Sequence, residues 1–85
     1  MIHREVVVGH ELGVHALVAH DLAEQAAHFD SSLFLRTGGR SASLRNVVDV
    51  LALGLRHGDR VSIWADGLDE SEALEATADI LQSSP

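Results

Sequence analysis

The histidines are the side chains in this sequence best suited to covalent chemistry, because the chain contains no cysteine. His15 stands apart from the others, since it falls where a polar connector meets a predicted helix that begins near Ala16. A side chain at such a junction lies beside backbone N–H groups without helical partners and beside the positive end of the helix dipole. Those groups would stabilise a phosphoryl group carried on a ring nitrogen, so the position predicts a nucleophilic histidine. The alternative interpretation is an ordinary polar residue at a helix start.

Three other side chains recur every four residues and could share one helical face: His20, Glu24 and His28. Such spacing can hold a divalent metal ion. A solvated polar stripe is the more common origin of the same pattern, and the spacing shows no fourth ligand. We therefore expect no metal site and no cofactor.

Composition limits the class of protein to which the chain can belong. Thirteen acidic residues against six arginines and no lysine give a formal charge of -7, which argues against binding nucleic acid or an anionic membrane surface. The lack of cysteine excludes disulfide frameworks and thiolate metal sites. No apolar stretch has the length of a signal peptide or a membrane span. We expect a single domain over residues 1–85 that is cytoplasmic and monomeric.

Hydrophobic periodicity predicts four strands and three helices. Alternating apolar side chains predict strands at 2–8, 33–37 and 59–65. A hairpin at Gly38-Gly39 returns the chain as a further strand at 40–43. Apolar side chains three and four residues apart predict three helices. The first begins at residue 16 and ends at the Asp30-Ser31-Ser32 segment, and the others span residues 47–53 and 70–81. The order β-α-β-β-α-β-α predicts an α+β fold, in which helices cover one side of an antiparallel sheet. Phe34 and Trp64 are then expected on the other side.

Two of the helix starts carry capping signals. Asn46 precedes the second helix and is its predicted N-cap, with Asp49 placed in the first turn. Asp69 and Glu72 have the D-x-x-E spacing of a capping box ahead of the third helix. Between the second and third strands, Gly38-Gly39 supplies the positive φ angles that a tight hairpin requires.

The chain resembles, nearly end to end and without gaps, the histidine-containing phosphocarrier (HPr) family of the sugar phosphotransferase system. The active segment of that family is G-[LIV]-H-A-R-P-A, and residues 13–19 (GVHALVA) stand in its place. Residues 43–55 are similar to the family's second helix and the glycine after it. Residues 58–63 and 65–74 are similar to its last strand, turn and closing helix. The resemblance implies an open-faced two-layer sandwich with sheet order 1-4-2-3 and three helices on one face.

The resemblance also implies a function for His15. In the family, Nδ1 of this histidine accepts a phosphoryl group from phosphorylated enzyme I and passes it to a sugar-specific acceptor domain. The chain is then a phosphoryl carrier rather than a free-standing enzyme, and its partners are those two proteins or divergent equivalents. The backbone N–H groups of Ala16 and Leu17 are the expected donors to the phosphoryl oxygens.

A docking surface for both partners beside His15 is implied as well. We assign five side chains to it: Leu17, His20, Val47, Val48 and Leu51. The apolar members of this set could instead be core residues, since they also fit helical spacing.

Several positions depart from the family pattern. Leu17 replaces the arginine that neutralises phosphoryl oxygens, and Val18 replaces the proline that follows it. Losing this charge-assisted donor could cost a few kcal/mol of phosphoryl stabilisation. His20 or Arg56 could supply the missing positive charge instead. Asn46 replaces a regulatory serine, so control by serine phosphorylation is expected to be absent. These departures leave an alternative hypothesis, a regulatory or binding relative that docks partners without carrying phosphate.

Overall fold

The computed structural model describes residues 1–83, so the last two positions of the predicted 1–85 domain lie outside the described residues. The strands are β1 (Ile2–Val7), β2 (Ser32–Thr37), β3 (Arg40–Ser43) and β4 (Arg60–Asp66). The helices are α1 (Ala16–Ala26), α2 (Val47–Ala52) and α3 (Glu70–Gln82). This order confirms the predicted β-α-β-β-α-β-α arrangement.

The strands form one antiparallel sheet in the order β1-β4-β2-β3, which confirms the predicted topology. β4 is central because it pairs with β1 on one side and with β2 on the other. Along β4, Val61, Ile63 and Ala65 are buried, whereas Ser62 and Trp64 are only half-buried. This alternation follows from the pleat, which turns successive side chains to opposite faces of a sheet that is covered on one side.

The three helices cover one face of the sheet, and the core lies between the two layers. The buried side chains of α1 and α3 recur three and four residues apart, as a single apolar stripe requires. They are Val18, Ala19, Leu22 and Ala26 on α1, and Ala73, Leu74, Thr77, Ala78 and Leu81 on α3. Within residues 1–83, no helix combines the length and the hydropathy that crossing a bilayer requires.

The uncovered face of the sheet carries an aromatic cluster. Phe34 and Trp64 are cross-strand neighbours on β2 and β4. His3 stacks on Trp64 with ring centroids 4.2 Å apart, and the Arg36 guanidinium lies 5.2 Å from the centroid of the same ring. These contacts cover the indole where no helix does. The prediction that Phe34 and Trp64 point away from the helices is confirmed.

The capping box predicted for α3 is wrong. Asp69 does occupy the N-cap position, but its side chain makes no capping hydrogen bond. Its carboxylate instead accepts hydrogen bonds from the backbone N–H groups of Asp30 and Ser31 and from the Ser31 hydroxyl. The Asp69 carboxylate, which the local spacing predicts as the cap of α3, therefore binds the residues directly before β2 instead.

The first helix is shorter than its spacing predicts. α1 ends at Ala26 with Ala27 as its C-cap, so His28 lies beyond the helix rather than on its polar stripe. The His28 backbone N–H donates to the Gln25 carbonyl at 3.0 Å, as in a tightened final turn. The predicted face formed by His20, Glu24 and His28 is consequently broken after Glu24.

Candidate functional site

The loop before α1 is held by a close backbone contact with the segment that leaves α2. The Val14 N–H donates to the Leu55 carbonyl at 2.9 Å, and both side chains are buried. Gly13 adopts φ +73, and a Cβ at this position would lie 2.4 Å from the Leu55 oxygen and 2.9 Å from Cα of Arg56. Only glycine combines that backbone conformation with so close an approach. The position of His15 is therefore set by a segment distant in sequence.

His15 is the N-cap residue of α1. Its backbone is extended (φ -88, ψ -177), and its carbonyl accepts the Ala19 N–H at 2.9 Å as the first bond of the helix. The imidazole makes no capping hydrogen bond, and the residue is half-buried. Because the ring is not used to complete the helix, its nitrogens remain available for chemistry. The structure therefore places His15 at the helix start, as predicted, without a capping role for its ring.

Three backbone N–H groups next to His15 lack an acceptor. Among residues 1–83, no carbonyl or side chain accepts from Ala16, Leu17 or Val18. Ala16 and Leu17 are exposed, whereas the Val18 side chain is 4% exposed and packs in the core. Unpaired N–H groups at a helix start are suited to an anion. The arrangement can therefore receive a phosphoryl group on the adjacent imidazole.

Acidic side chains lie on both α1 and α2. On α1, His20 Nε2 lies 3.4 Å from a Glu24 carboxylate oxygen, and both side chains are about two-thirds exposed (66% and 68%). Asp49 is exposed in the first turn of α2. His20 therefore has an acidic neighbour of its own, which competes for any positive charge that it carries. Among residues 1–83, no three potential ligands are grouped as a metal site would require.

The predicted N-cap of α2 is confirmed. The Asn46 side chain accepts the Asp49 N–H at 3.1 Å. Before the cap, the Arg45 guanidinium donates to the carbonyls of Ala26 and Phe29 at 3.3 and 3.0 Å. These bonds link the start of α2 to the end of α1, where carbonyls are left without helical partners. The relative placement of the two helices is thereby held by polar contacts as well as by packing.

Large apolar side chains are exposed on the elements next to His15. Leu17 is 63% exposed on α1, while Val48 and Leu51 are 74% and 37% exposed on α2. Val47 is half-buried and packs against the core. Leu12, in the loop before His15, is 83% exposed and was not singled out by the sequence patterns. A leucine in a loop carries no periodic signal, so only the structure shows that this side chain is exposed.

The comparison with protein families gives one match along almost the whole chain. A profile described as "PTS HPr component phosphorylation site" matches residues 2–83. The phosphocarrier protein HPr of Mycoplasma genitalium is 36% identical over 81 residues, which cover 94% of this chain and 92% of that protein. Sequence similarity therefore extends far beyond the segment around His15.

Solved structures give the same match at the level of the fold. A phosphocarrier protein HPr from Bacillus anthracis is 26% identical and superposes with a TM-score of 0.91, covering 95% of this chain and 96% of that one. Crh, the catabolite repression containing protein of Bacillus subtilis, is 30% identical with a TM-score of 0.78, covering 96% and 94% of the two chains. The Crh structure is described as a domain-swapped dimer.

Proposed function

This chain belongs to the histidine-containing phosphocarrier (HPr) family of the sugar phosphotransferase system, and on that premise we propose that it carries a phosphoryl group on His15. The group arrives from phosphorylated enzyme I and leaves to a sugar-specific or regulatory acceptor domain. One observation carries this proposal. The half-buried His15 makes no capping hydrogen bond through its imidazole and lies beside three backbone N–H groups without acceptors.

The chemistry asked of the carrier is modest. A lone pair on a His15 ring nitrogen attacks phosphorus, a new N–P bond forms, and the N–P bond to the donor histidine breaks with its electron pair returning to that ring. The two histidines hold the phosphoryl group with comparable energy, so alignment and charge neutralisation are the main requirements. The N–H groups of Ala16 and Leu17 supply fixed donors to the phosphoryl oxygens without any side chain.

Val18 offers a partial replacement for the arginine that Leu17 has displaced. Proline, the family residue at this position, has no backbone N–H. Val18 has one, and it finds no acceptor among residues 1–83. A third backbone donor at the helix start would offset part of the positive charge lost at Leu17, since an N–H to an anionic oxygen forms a charge-assisted hydrogen bond.

The docking surface selects for a particular kind of partner. Leu17, Val48 and Leu51 offer apolar area beside His15, and the acidic side chains Glu24 and Asp49 lie on the same two helices. A partner that combines an apolar centre with basic side chains at its edge complements this surface, whereas an acidic edge is repelled. We therefore expect an enzyme I and an acceptor domain whose docking surfaces carry more positive charge than is usual for the family.

Phosphorylation at His15 can be tested directly. The protein is incubated with phosphoenolpyruvate and enzyme I from the same organism, and the adduct is measured by intact mass before and after mild acid treatment. We expect one acid-labile phosphate on the wild type and none on His15→Ala. His28→Ala is the matched control, because it removes an exposed histidine beyond the end of α1 and should leave the adduct in place. An unmodified wild type, with folded carrier and active enzyme I, would refute the proposal.

The second candidate is a regulatory relative that docks partners without accepting phosphate, and Leu17 at the position of the family arginine is the observation that favours it. Partner binding measured by calorimetry distinguishes the two. If a partner binds wild type and His15→Ala equally well and enzyme I forms no adduct, the regulatory function is supported instead.

A further inference from the structure

A polar pocket lies at one edge of the molecule, between the β2–β3 turn, the end of α2 and the start of β4. Its volume is about 360 Å³, and nine residues line it: Thr37, Gly38, Arg40, Leu53, Gly54, Leu55, Arg56, Asp59 and Arg60. This volume falls in the range of small-molecule sites. The pocket does not include His15 or the N–H groups at the start of α1, so it is distinct from the phosphoryl site.

The pocket concentrates positive charge in an acidic protein. Arg40, Arg56 and Arg60 are half of the six arginines in a chain whose net charge is -7 and which has no lysine. Three arginines among the lining residues make this edge of the molecule positive, and an anion bound there would relieve their mutual repulsion. Asp59 is the one carboxylate in the lining.

Part of this positive charge is balanced within the protein. Arg40 donates to the carbonyls of Ala52 and Leu53 at 3.1 and 2.8 Å, which orients its guanidinium without cancelling the charge. Arg60 lies 3.6 Å from a Glu5 carboxylate, and both side chains are exposed. Among residues 1–83, the Arg56 guanidinium has no carboxylate within salt-bridge distance.

The acidic residue in the lining, Asp59, hydrogen-bonds to the backbone and keeps its negative charge, so three arginines stand against one aspartate in the lining. A carboxylate oxygen of Asp59 accepts the Arg56 N–H at 2.8 Å and so closes the turn between α2 and β4. Two glycines of the lining, Gly38 and Gly54, have positive φ angles and no atom within 4 Å of an ideal Cβ position. Their backbone is therefore open to a ligand that approaches closely.

We propose that this pocket binds a small, multiply charged anion of the phosphate-ester class. Planar guanidinium groups match the oxygens of a phosphate, and a lining with three arginines against one aspartate favours an anion with two negative charges. The polar lining of this open groove suits a hydrophilic metabolite, and its volume matches a small molecule rather than one side chain. The pocket does not contain His15, but its lining residue Leu55 also holds the loop before His15.

The proposal is tested by titrating the ¹⁵N-labelled full chain with inorganic pyrophosphate at constant ionic strength. We expect amide shifts at Gly38, Gly54 and Arg56, with saturation. Arg56→Gln should weaken binding about tenfold, the loss of one charge-assisted contact. This variant preserves the fold, because no hydrogen bond of the Arg56 side chain holds the described residues together. Arg40→Gln should weaken binding similarly, although it also removes two bonds to the end of α2.

Arg4→Gln is the matched control, since it removes the same charge from a residue paired with Glu75 outside the pocket. It should change the affinity by less than about twofold. Saturable shifts at the pocket with His15→Ala support the site even if enzyme I never phosphorylates the chain. Shifts confined to residues 15–18 would place the anion at the helix start and overturn the proposal. Binding of an acidic peptide but not pyrophosphate would also overturn it, in favour of a protein partner.

Discussion

The Val14 N–H and the Leu55 carbonyl are 2.9 Å apart, and this hydrogen bond joins the loop that ends at His15 to the segment that leaves α2. Cα of Gly13 lies so close to the same carbonyl that a Cβ at position 13 would overlap with it. The geometry of the candidate phosphoryl site therefore depends on two chain segments that meet only in the folded protein.

Gly13→Ala should destabilise the fold and displace the loop before His15. The substitution forces a positive φ on alanine and brings a Cβ within 2.4 Å of the Leu55 oxygen. Gly38→Ala is a matched control, because Gly38 also has a positive φ (+54) but no atom within 4 Å of the Cβ position. We expect Gly13→Ala to cost about 1–3 kcal/mol more than Gly38→Ala in urea unfolding. If both variants lose the same free energy of unfolding, the close contact between position 13 and the Leu55 carbonyl does not constrain the side chain.

Leu17→Arg should accelerate phosphorylation by enzyme I. It places a guanidinium beside the phosphoryl oxygens at an exposed position, where the larger side chain meets no packing constraint. The expected gain is about tenfold in the rate of adduct formation. Leu17→Met provides a longer side chain without a charge, and this variant should be phosphorylated at the wild-type rate. If both variants behave alike, charge at position 17 is not what limits transfer.

Val18→Pro should slow transfer in this chain, although proline is the family residue there. Proline removes the backbone N–H that has no acceptor among the described residues, while its fixed φ remains compatible with a first helical turn. Val18→Ala, which keeps the N–H and loses buried methyl groups, separates the donor from the packing. We expect about a tenfold lower rate for the proline variant than for the alanine variant. Identical rates would remove Val18 from the phosphoryl site.

Asn46→Ala should lower the free energy of unfolding by about 1 kcal/mol, because α2 loses the acceptor for the Asp49 N–H. Asn46→Ser keeps a capping oxygen and should stay within a few tenths of a kcal/mol of the wild type. Urea unfolding of the three proteins measures the difference. A serine variant as unstable as the alanine variant would contradict the capping role.

The pH dependence of stability should include a contribution from Asp69. Its pKa lies below the ordinary value of 3.8, first because the Ser31 hydroxyl donates to the carboxylate and then because the Asp30 N–H does so. A depressed pKa in the folded state stabilises the protein above the unfolded value and loses that stabilisation as the pH falls through the folded value.

Ser31→Ala removes the largest cause of this shift and tests the contribution. The wild type should exceed Ser31→Ala in stability at neutral pH, and the difference should shrink as the pH falls below the ordinary Asp69 value of 3.8. Unfolding curves at neutral and acidic pH measure it, with Ser32→Ala, an exposed neighbour, as the control. A difference that does not vary with pH would assign the loss to packing at buried Ser31 instead.

The amino-acid order by itself determined the elements, their sequence and the position of His15 at a helix start. Period-two and period-3.6 patterns, the Asn46 cap and the Gly38-Gly39 turn are local signals, so neighbouring residues suffice to specify them. Asp69 and His28 mark where local signals failed. A tertiary partner took the Asp69 carboxylate, and α1 ended before the spacing of its polar residues did.

Only the folded chain decided which segments meet. Two features join residues far apart in sequence: the contact between Gly13 and Leu55, and the group of arginines near the start of β4. No periodicity encodes such contacts, because they follow from packing helices against a sheet whose strand order differs from the chain order.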